Sequence, residues 1–167
     1  MARLVLVGMP GVGKTTVGRA LAAELGCDAI DLDDLVSDAV GESAADFIRE
    51  NGEAPFRRAE AAALRVALLT DAVVSCGGGV VTDEESRDLL READLVVWLT
   101  APLSTLSERV RNGDRPLLGD DVDAHLKELM TERAPSYEAV ASQSVNADRP
   151  LRDVVEEIIA HVRKSTK

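Results

Sequence analysis

The amino-acid sequence predicts a three-layer α/β/α domain, in which helices cover both faces of a central five-stranded parallel sheet. Short runs of apolar residues alternate along the chain with longer stretches whose apolar residues recur at helical spacing. Strands that are apolar on both faces and separated by helices favour a parallel sheet that is buried on each side. The length of 167 residues fits one domain, which we expect to span residues 1–167.

The predicted strands are residues 3–7, 29–32, 72–76, 95–99 and 142–145. The first ends at Gly8 and the third ends before three consecutive glycines, which are typical strand terminators. The predicted helices fill the gaps and are residues 14–25, 44–50, 54–69, 83–92, 103–111, 122–133 and 151–163. Only four residues are aromatic, so the core must be built mainly from Leu, Val, Ile and Ala.

The charge balance limits the classes of partner. Nineteen Lys and Arg residues against thirty Asp and Glu residues give a net charge of −11. A protein that binds the nucleic-acid backbone needs a concentrated positive surface, so we expect no nucleic-acid partner. No apolar run reaches the roughly 18 residues of a membrane-spanning helix, and two cysteines are too few for a disulfide framework. We therefore expect a cytoplasmic protein with small-molecule partners, monomeric because no heptad seam indicates assembly, and without a membrane partner.

Residues 8–15, GMPGVGKT, match the pattern G-x-x-x-x-G-K-[ST] at every fixed position. Glycines allow backbone N–H groups to curl around phosphate oxygens, and the following helix directs its positive end toward them. Lys14 would reach the β- and γ-phosphates, and the Thr15 hydroxyl would bind Mg²⁺. The alternative is a glycine-rich turn that only joins a strand to a helix. The complete match favours the phosphate loop, because the motif also has the context that such loops require, a buried strand before it and an amphipathic helix after it. The segment predicts nucleoside triphosphate binding and leaves the phosphate acceptor open.

Two acidic residues, Asp31 and Asp33, follow the second predicted strand. In an extended chain, residues two apart point to the same side, so both carboxylates could face one pocket. One could hold Mg²⁺ through water, and the other could accept a proton from an attacking hydroxyl. The alternative is that Asp33 or Asp34 caps the helix that follows. The sequence leaves both interpretations open.

Arg57 and Glu60 are three residues apart on a predicted helix and can share one face. A guanidinium held by Glu60 would suit bidentate capture of a substrate carboxylate. The alternative is a solvated, charged helix face.

Gly77, Gly78 and Gly79 follow the third predicted strand. Consecutive glycines are favoured where the backbone must approach a ligand closely, and ligands of such sheets lie beyond the carboxyl ends of the strands. The alternative is a plain loop. Cys76 is interpreted as a small buried apolar residue rather than a nucleophile.

The notable basic residues of this acidic chain are Arg109, Arg111, Arg115 and Arg133. Residues 112–121 are polar and rich in Gly, Pro and Asp, so we expect a mobile lid over about residues 112–124. A lid arginine could neutralise charge over bound ATP, although an ordinary exposed loop fits the same composition. Arg133 precedes Pro135 at a predicted helix end, where it could point into a cleft or only offset the negative end of the helix. His125 and His161 lack metal-ligand spacing and are assigned no role.

Taken together and in this order, these segments resemble the shikimate kinase family. The matching segments are GMPGVGKTTVGRALA (8–22), DLDD (31–34), FRRAE (56–60), GGGVV (77–81), RPLL (115–118) and ERAPSYEAVA (132–141). The resemblance implies a P-loop kinase fold and, with Mg²⁺ as cofactor, transfer of the γ-phosphoryl group of ATP to the 3-hydroxyl of shikimate. This reaction belongs to the pathway to chorismate and the aromatic amino acids.

The resemblance also implies roles for the matching residues. It assigns ATP binding to Gly11, Val12, Gly13, Lys14, Thr15, Thr16, Arg115 and Arg149, and the metal to Thr15 and, through water, to Asp31. It assigns shikimate binding to Asp33, Arg57, Gly77, Gly78, Gly79 and Arg133. Lys14, Asp33 and Arg115 are the expected catalytic residues, with Asp33 as the base. Whether Arg109 or Arg111 lies against the adenine stays open.

Two other functions remain possible on the residues alone. A kinase for gluconate or for nucleoside monophosphates would also use paired arginines for an anionic acceptor. A kinase-like domain that senses a ligand without catalysis is disfavoured, because every expected catalytic position is filled.

Overall fold

The computed structural model of this chain describes residues 4–113 and 121–165. Within these ranges, five parallel strands form one sheet in the order β2-β3-β1-β4-β5. The strands are β1 (Leu4–Val7), β2 (Asp28–Asp31), β3 (Ala72–Ser75), β4 (Val96–Thr100) and β5 (Gln143–Asn146). All four residues of β1 are fully buried, as expected for the central strand of a covered sheet. The predicted fold class is confirmed.

Eight α-helices accompany the sheet in the described part of the chain. They are α1 (Lys14–Leu25), α2 (Leu32–Val40), α3 (Ala44–Asn51), α4 (Glu53–Leu68), α5 (Glu84–Arg91), α6 (Leu103–Arg111), α7 (Val122–Val140) and α8 (Leu151–Ser165). A short 3-10 helix, Val80–Thr82, follows the glycine run. None of the helices within the described ranges is long and apolar enough to span a bilayer.

The helices fall into two packing groups, one on each face of the sheet. Helix α1 packs against α8, whereas α2, α3, α4, α5, α6 and α7 pack against one another. Right-handed crossovers account for this division. The chain moves from β1 to β2 in one direction and makes its later crossovers in the opposite direction, so α1 lies on the face opposite the later helices.

Helix α2 was not among the predicted helices. The second strand ends at Asp31 instead of continuing to residue 32, because the Asp31 carboxylate accepts a hydrogen bond from the Asp33 N–H and so caps a new helix. Leu32 and Val36 lie on the buried face of this helix, and Gly41 ends it in the left-handed conformation. The helix that the alternative interpretation placed here is thus capped by Asp31 and not by Asp33 or Asp34.

Helix α7 was predicted to end at residue 133, before Pro135, but it continues to Val140. Proline removes one backbone hydrogen bond from a helix interior and usually kinks or ends it. Beyond Pro135, the helix buries Tyr137 and Val140 against the core. This burial offsets the hydrogen bond lost at Pro135. Because the helix continues, Arg133 and Tyr137 lie one turn apart on the same helix.

The strand order brings three of the predicted motifs to one edge of the sheet. The phosphate loop follows β1, the aspartates follow β2, and the glycine run follows β3. These three strands are neighbours, so their carboxyl ends lie side by side. Most of the predicted lid, residues 114–120 with Arg115, lies outside the described residues.

Candidate active site

A cavity of about 640 Å³ lies beyond the carboxyl ends of β1, β2 and β3. The predicted site residues that line it are Gly11, Gly13, Lys14, Thr15, Thr16, Asp31, Asp33, Arg57, Gly77, Gly78, Gly79 and Arg133. Its volume is in the range of about 300–1,000 Å³ typical of small-molecule sites. Segments that are far apart in the sequence thus form one pocket.

The phosphate loop has the backbone conformation that its glycines allow. Gly11 and Gly13 have φ values of 82° and 103°, in the region that residues with a side chain rarely adopt. The loop leads directly into α1, which begins at Lys14. The positive end of that helix therefore lies beside the cavity, where it favours an anion. Val12, expected in the same group, is buried beneath the loop and does not line the cavity.

The Lys14 side chain folds back over its own loop. Its ammonium donates hydrogen bonds to the carbonyl oxygens of Gly8, at 2.8 Å, and Met9, at 3.0 Å. These backbone contacts keep the charge at the mouth of the loop, where a terminal phosphate would lie. Lys14 is half-buried, so its charge is less screened by water than that of an exposed lysine.

Thr15 and Asp31 form a pair of hard oxygen ligands beside the phosphate loop. The Thr15 hydroxyl donates to the Asp31 Oδ2 atom at 2.7 Å, and the Asp31 Oδ1 atom accepts from the Asp33 N–H. No cluster of three or more His, Cys, Asp or Glu side chains suited to a metal occurs within the described ranges. Mg²⁺ bound with ATP needs few protein ligands, because water and phosphate oxygens complete its coordination. The hydroxyl–carboxylate pair fits such an ion.

Asp33 reaches the cavity by a different route from the predicted one. The two aspartates do not share an extended strand, because Asp33 lies in the first turn of α2. Both nevertheless line the cavity, since the chain turns sharply at Asp31 where strand becomes helix. A Cβ atom added to Gly77 would lie 2.7 Å from Asp33 Oδ1. The Asp33 carboxylate therefore contacts the glycine run directly.

Arg57 is held by two carboxylates of its own helix. Its guanidinium lies 2.8 Å from Glu60 Oε1 and 3.2 Å from Glu53 Oε1. Glu60 is 1% exposed and the Arg57 side chain is 15% exposed, which excludes the solvated helix face as an interpretation. Burial raises the pKa of Glu60, and the Arg57 charge opposes this effect. The pair presents a fixed guanidinium to the cavity.

The glycine run is in contact with both acidic and basic groups of the site. A Cβ atom at Gly78 would lie 2.9 Å from the Pro10 ring, and one at Gly79 would lie 2.3 Å from Arg57 Nη2. Side chains are therefore excluded here by the neighbouring phosphate loop and by the guanidinium. The plain-loop interpretation does not explain these contacts.

Replacing Gly79 with alanine is expected to leave the fold intact and to displace Arg57. The Gly79 backbone has φ −90° and ψ 1°, which alanine adopts without strain, and the atom in the way is the movable end of a side chain. We expect a folded protein with weaker binding of an anionic acceptor, and with a lower thermal unfolding temperature because the buried Arg57–Glu60 pair is disturbed. Steady-state kinetics at varied acceptor concentration measure the effect, and an unchanged KM for the acceptor would contradict this contact.

The remaining arginines differ in their positions. Arg133, on α7, lines the cavity. Arg109 also lines it and donates a hydrogen bond of 2.9 Å to the Val12 carbonyl, whereas Arg111 pairs with Asp123 at the surface. Of the two residues left open for adenine, Arg109 is thus the one beside the phosphate loop. Arg149 does not line the cavity and pairs with Glu157 on α8.

Three further residues have a place that no predicted role anticipated. Tyr137 is fully buried and its hydroxyl donates to the Gly78 carbonyl at 2.5 Å. His125 and Pro10 line the cavity. The only indication of this place in the sequence is that Tyr137 lies four residues after Arg133, a spacing that puts both on one helix face. Burial raises the pKa of the Cys76 thiol, which agrees with its interpretation as an apolar core residue.

Comparisons with known proteins agree on one family. The family model described as shikimate kinase matches residues 10–163. The shikimate kinase of Corynebacterium efficiens is 42% identical over 97% of this chain and 98% of that protein. The solved structure of the shikimate kinase from Acinetobacter baumannii in complex with shikimate is 32% identical. It covers 96% of this chain and 92% of that one, with a TM-score of 0.90.

A kinase of different specificity shares the architecture. The solved structure of a gluconokinase from Sinorhizobium meliloti has a TM-score of 0.60 and 22% identity, and covers 96% of this chain and 91% of that one. At this identity the likeness concerns the fold alone.

Proposed function

This chain belongs to the shikimate kinase family, and we propose that it transfers the γ-phosphoryl group of ATP to the 3-hydroxyl of shikimate. The products are ADP and shikimate 3-phosphate, in the pathway to chorismate and the aromatic amino acids. The observation that carries the proposal is the placement of Arg57, Arg133 and the glycine run in one cavity with the phosphate loop. Such a cavity suits an acceptor that has both a carboxylate and several hydroxyls.

Each part of the acceptor has a chemically suited neighbour. The guanidinium groups of Arg57 and Arg133 suit a carboxylate, because arginine binds planar anions through two parallel N–H donors. The backbone of Gly77, Gly78 and Gly79 suits ring hydroxyls at close range. The Asp33 carboxylate suits the attacking hydroxyl, from which it would accept the proton.

The protein's own residues supply positioning and charge. Lys14 and the N-terminus of α1 stabilise the negative charge of the transferring phosphoryl group. Thr15 and, through water, Asp31 would hold Mg²⁺, which supplies further neutralisation of phosphate charge when bound. Gly11, Gly13 and Thr16 would complete the ATP site with Val12 beneath them. Arg115 would add a lid charge over the phosphates. Arg149, which pairs with Glu157 and does not line the cavity, would lie beyond it at the adenine.

Replacing Arg57 with alanine is expected to raise the KM for shikimate by about 10- to 100-fold, the size of a lost charge-assisted hydrogen-bond pair, with a smaller change in kcat. The guanidinium contacts a part of the acceptor that does not react, so its contribution is similar in the ground and transition states. Steady-state kinetics with shikimate varied at saturating ATP measure it. Arg58→Ala is the matched control, because Arg58 is the exposed neighbour on the same helix and does not line the cavity. Equal effects of the two variants would contradict the assignment.

A panel of acceptors tests the proposed reaction against its alternatives. ADP formation is measured with ATP and Mg²⁺ in the presence of shikimate, gluconate or AMP, and with no acceptor. We expect turnover with shikimate alone. Preferred turnover of gluconate or AMP would favour the other kinases, and ligand binding without any transfer would favour a sensing domain.

We also propose that the protein acts in the cytoplasm as a monomer. Within the described ranges, no disulfide joins Cys27 and Cys76, as expected in a reducing compartment. Sedimentation at the mass of one chain, 17.8 kDa, is the expected result.

A further inference from the structure

Tyr137 lies behind the glycine run, on the side away from the cavity. It is fully buried and does not line the cavity, whereas Gly77, Gly78 and Gly79 all do. Its ring stacks on Trp98 of β4, with the ring centroids 5.8 Å apart and the planes 27° from parallel. The phenol is therefore held in one position by the sheet.

The hydroxyl of Tyr137 contacts the backbone of the glycine run. It donates to the Gly78 carbonyl oxygen at 2.5 Å. A trans peptide group is planar, and its C=O and N–H point in opposite directions. Because the Gly78 carbonyl points to Tyr137, the N–H of the same peptide group, which belongs to Gly79, points away from Tyr137 toward the cavity side.

The neighbouring carbonyls of the run are also fixed. The Gly77 carbonyl accepts from the Val80 N–H at 3.1 Å, and the Gly79 carbonyl accepts from the Thr82 N–H at 3.0 Å and the Thr82 hydroxyl at 2.6 Å. Glycine is the residue with the greatest backbone freedom, so a run of three needs such anchors to hold one conformation. The Tyr137 anchor differs from the other two because it comes from a distant element, α7.

Helix α7 also carries Arg133, one turn before Tyr137. Residues four apart on a helix lie on the same face. Burial, the largest effect, raises the pKa of the Tyr137 phenol to about 12, while the charge and hydrogen bonding of the Arg133 guanidinium act to lower it. The phenol therefore stays protonated at ordinary pH and can accept from Arg133 while it donates to Gly78.

We propose that Tyr137 is a positioning residue for the phosphate acceptor, which sets the Gly78–Gly79 peptide group and the Arg133 guanidinium at a fixed separation. This inference rests on the proposed function. The loop after β3 and helix α7 each bring one of these groups to the cavity, and the Tyr137 hydroxyl would join the two. Tyr137 contacts neither ATP nor the acceptor itself.

The test is the Tyr137→Phe variant, which removes the hydroxyl and keeps the stacked ring. We expect the KM for shikimate to rise roughly three- to tenfold, the size of one neutral hydrogen bond, while kcat and the KM for ATP stay within about twofold. In an Arg133→Lys background, the same substitution should have a smaller effect, because the two residues act on the acceptor together.

Thr70→Val is the matched control for loss of a hydroxyl that donates to a backbone carbonyl. The Thr70 hydroxyl donates to the Ala67 carbonyl at 2.6 Å, before the amino end of β3 and away from the cavity. It should leave the KM for shikimate unchanged, even if thermal unfolding shifts as much as in Tyr137→Phe. Thr82→Val removes one of the two hydrogen bonds to the Gly79 carbonyl and keeps the bond from the backbone N–H. It provides a second variant should Tyr137→Phe not fold, and it should also raise the KM for shikimate.

Three results would overturn the inference. One is an unchanged KM for shikimate in folded Tyr137→Phe, and another is an unchanged KM in Thr82→Val where Tyr137→Phe does not fold. The third is equal changes in the KM values of shikimate and ATP, which would indicate a structural role alone. These outcomes are distinct from failure of the proposed function, in which the unsubstituted protein itself shows no shikimate-dependent turnover.

Discussion

Replacing Lys14 with alanine is expected to lower kcat by about a hundred- to a thousandfold, the usual cost of removing one preorganised donor from a site where charge develops. The ammonium is held at the mouth of the phosphate loop by the carbonyls of Gly8 and Met9, in the same cavity as the acceptor groups. Phosphoryl transfer depends almost entirely on positioning and charge stabilisation. The lysine charge therefore contributes most to stabilising the transition state of phosphoryl transfer.

Single-turnover and steady-state rates with ATP and shikimate measure this effect. Lys164→Ala is the matched control, since it removes the same charge from an exposed position near the end of α8. Thermal unfolding of both variants should stay close to that of the unsubstituted protein. A kcat for Lys14→Ala within threefold of the unsubstituted value would exclude the lysine from the transition state.

Replacing Asp33 with asparagine is expected to lower kcat by about a hundred- to ten-thousandfold, the range of a lost general base, with little change in the KM for ATP. The carboxylate lines the cavity from the first turn of α2 and contacts the glycine run. Asparagine keeps the shape and removes the proton acceptor. The acceptor hydroxyl would then attack without a group to receive its proton.

Asp34→Asn is the control for the Asp33 variant. Asp34 is the next residue of the same helix, is exposed and does not line the cavity. It should retain normal kcat. If both variants were equally active, the base would have to be another group.

The sheet and the phosphate loop could be predicted because their signals are local. Strands β1, β3 and β4 are short, mainly apolar runs. The motif at residues 8–15 specifies both its loop conformation and its position after β1. That the motifs after β2 and β3 lie beside the phosphate loop could also be predicted, because the carboxyl ends of neighbouring parallel strands meet at one edge of the sheet. The fold and the family could therefore be predicted without knowledge of any tertiary contact.

The differences arose where burial or helix capping outweighs a simpler signal in the sequence. Pro135 indicated a helix end, but burial of Tyr137 and Val140 carries α7 past it. For Asp31 and Asp33 the sequence left an extended chain and a capped helix open. Capping by Asp31 begins a helix and still brings Asp33 to the cavity. Tyr137 itself has no sequence signal that would distinguish an anchor of the glycine run from an ordinary core residue.

The choice of acceptor depends on side chains rather than on the fold. The likeness to the gluconokinase structure concerns the fold, and a fold by itself does not determine function. In this chain, the burial of Glu60 and the contact of Arg57 with Gly79 fix the guanidinium beside the glycine run. A carboxylate and a hydroxylated ring are the acceptor features that this arrangement matches.

The most direct measurement identifies the molecule and the hydroxyl group to which the phosphoryl group is transferred. The protein is incubated with ATP, Mg²⁺ and shikimate, and the product is identified by phosphorus NMR and mass spectrometry beside a parallel reaction of Asp33→Asn. We expect one new phosphate monoester, on the 3-hydroxyl of shikimate, that is formed by the unsubstituted protein and nearly absent with the variant. Phosphate on another hydroxyl, inorganic phosphate as the sole product, or equal yields from both proteins would contradict it.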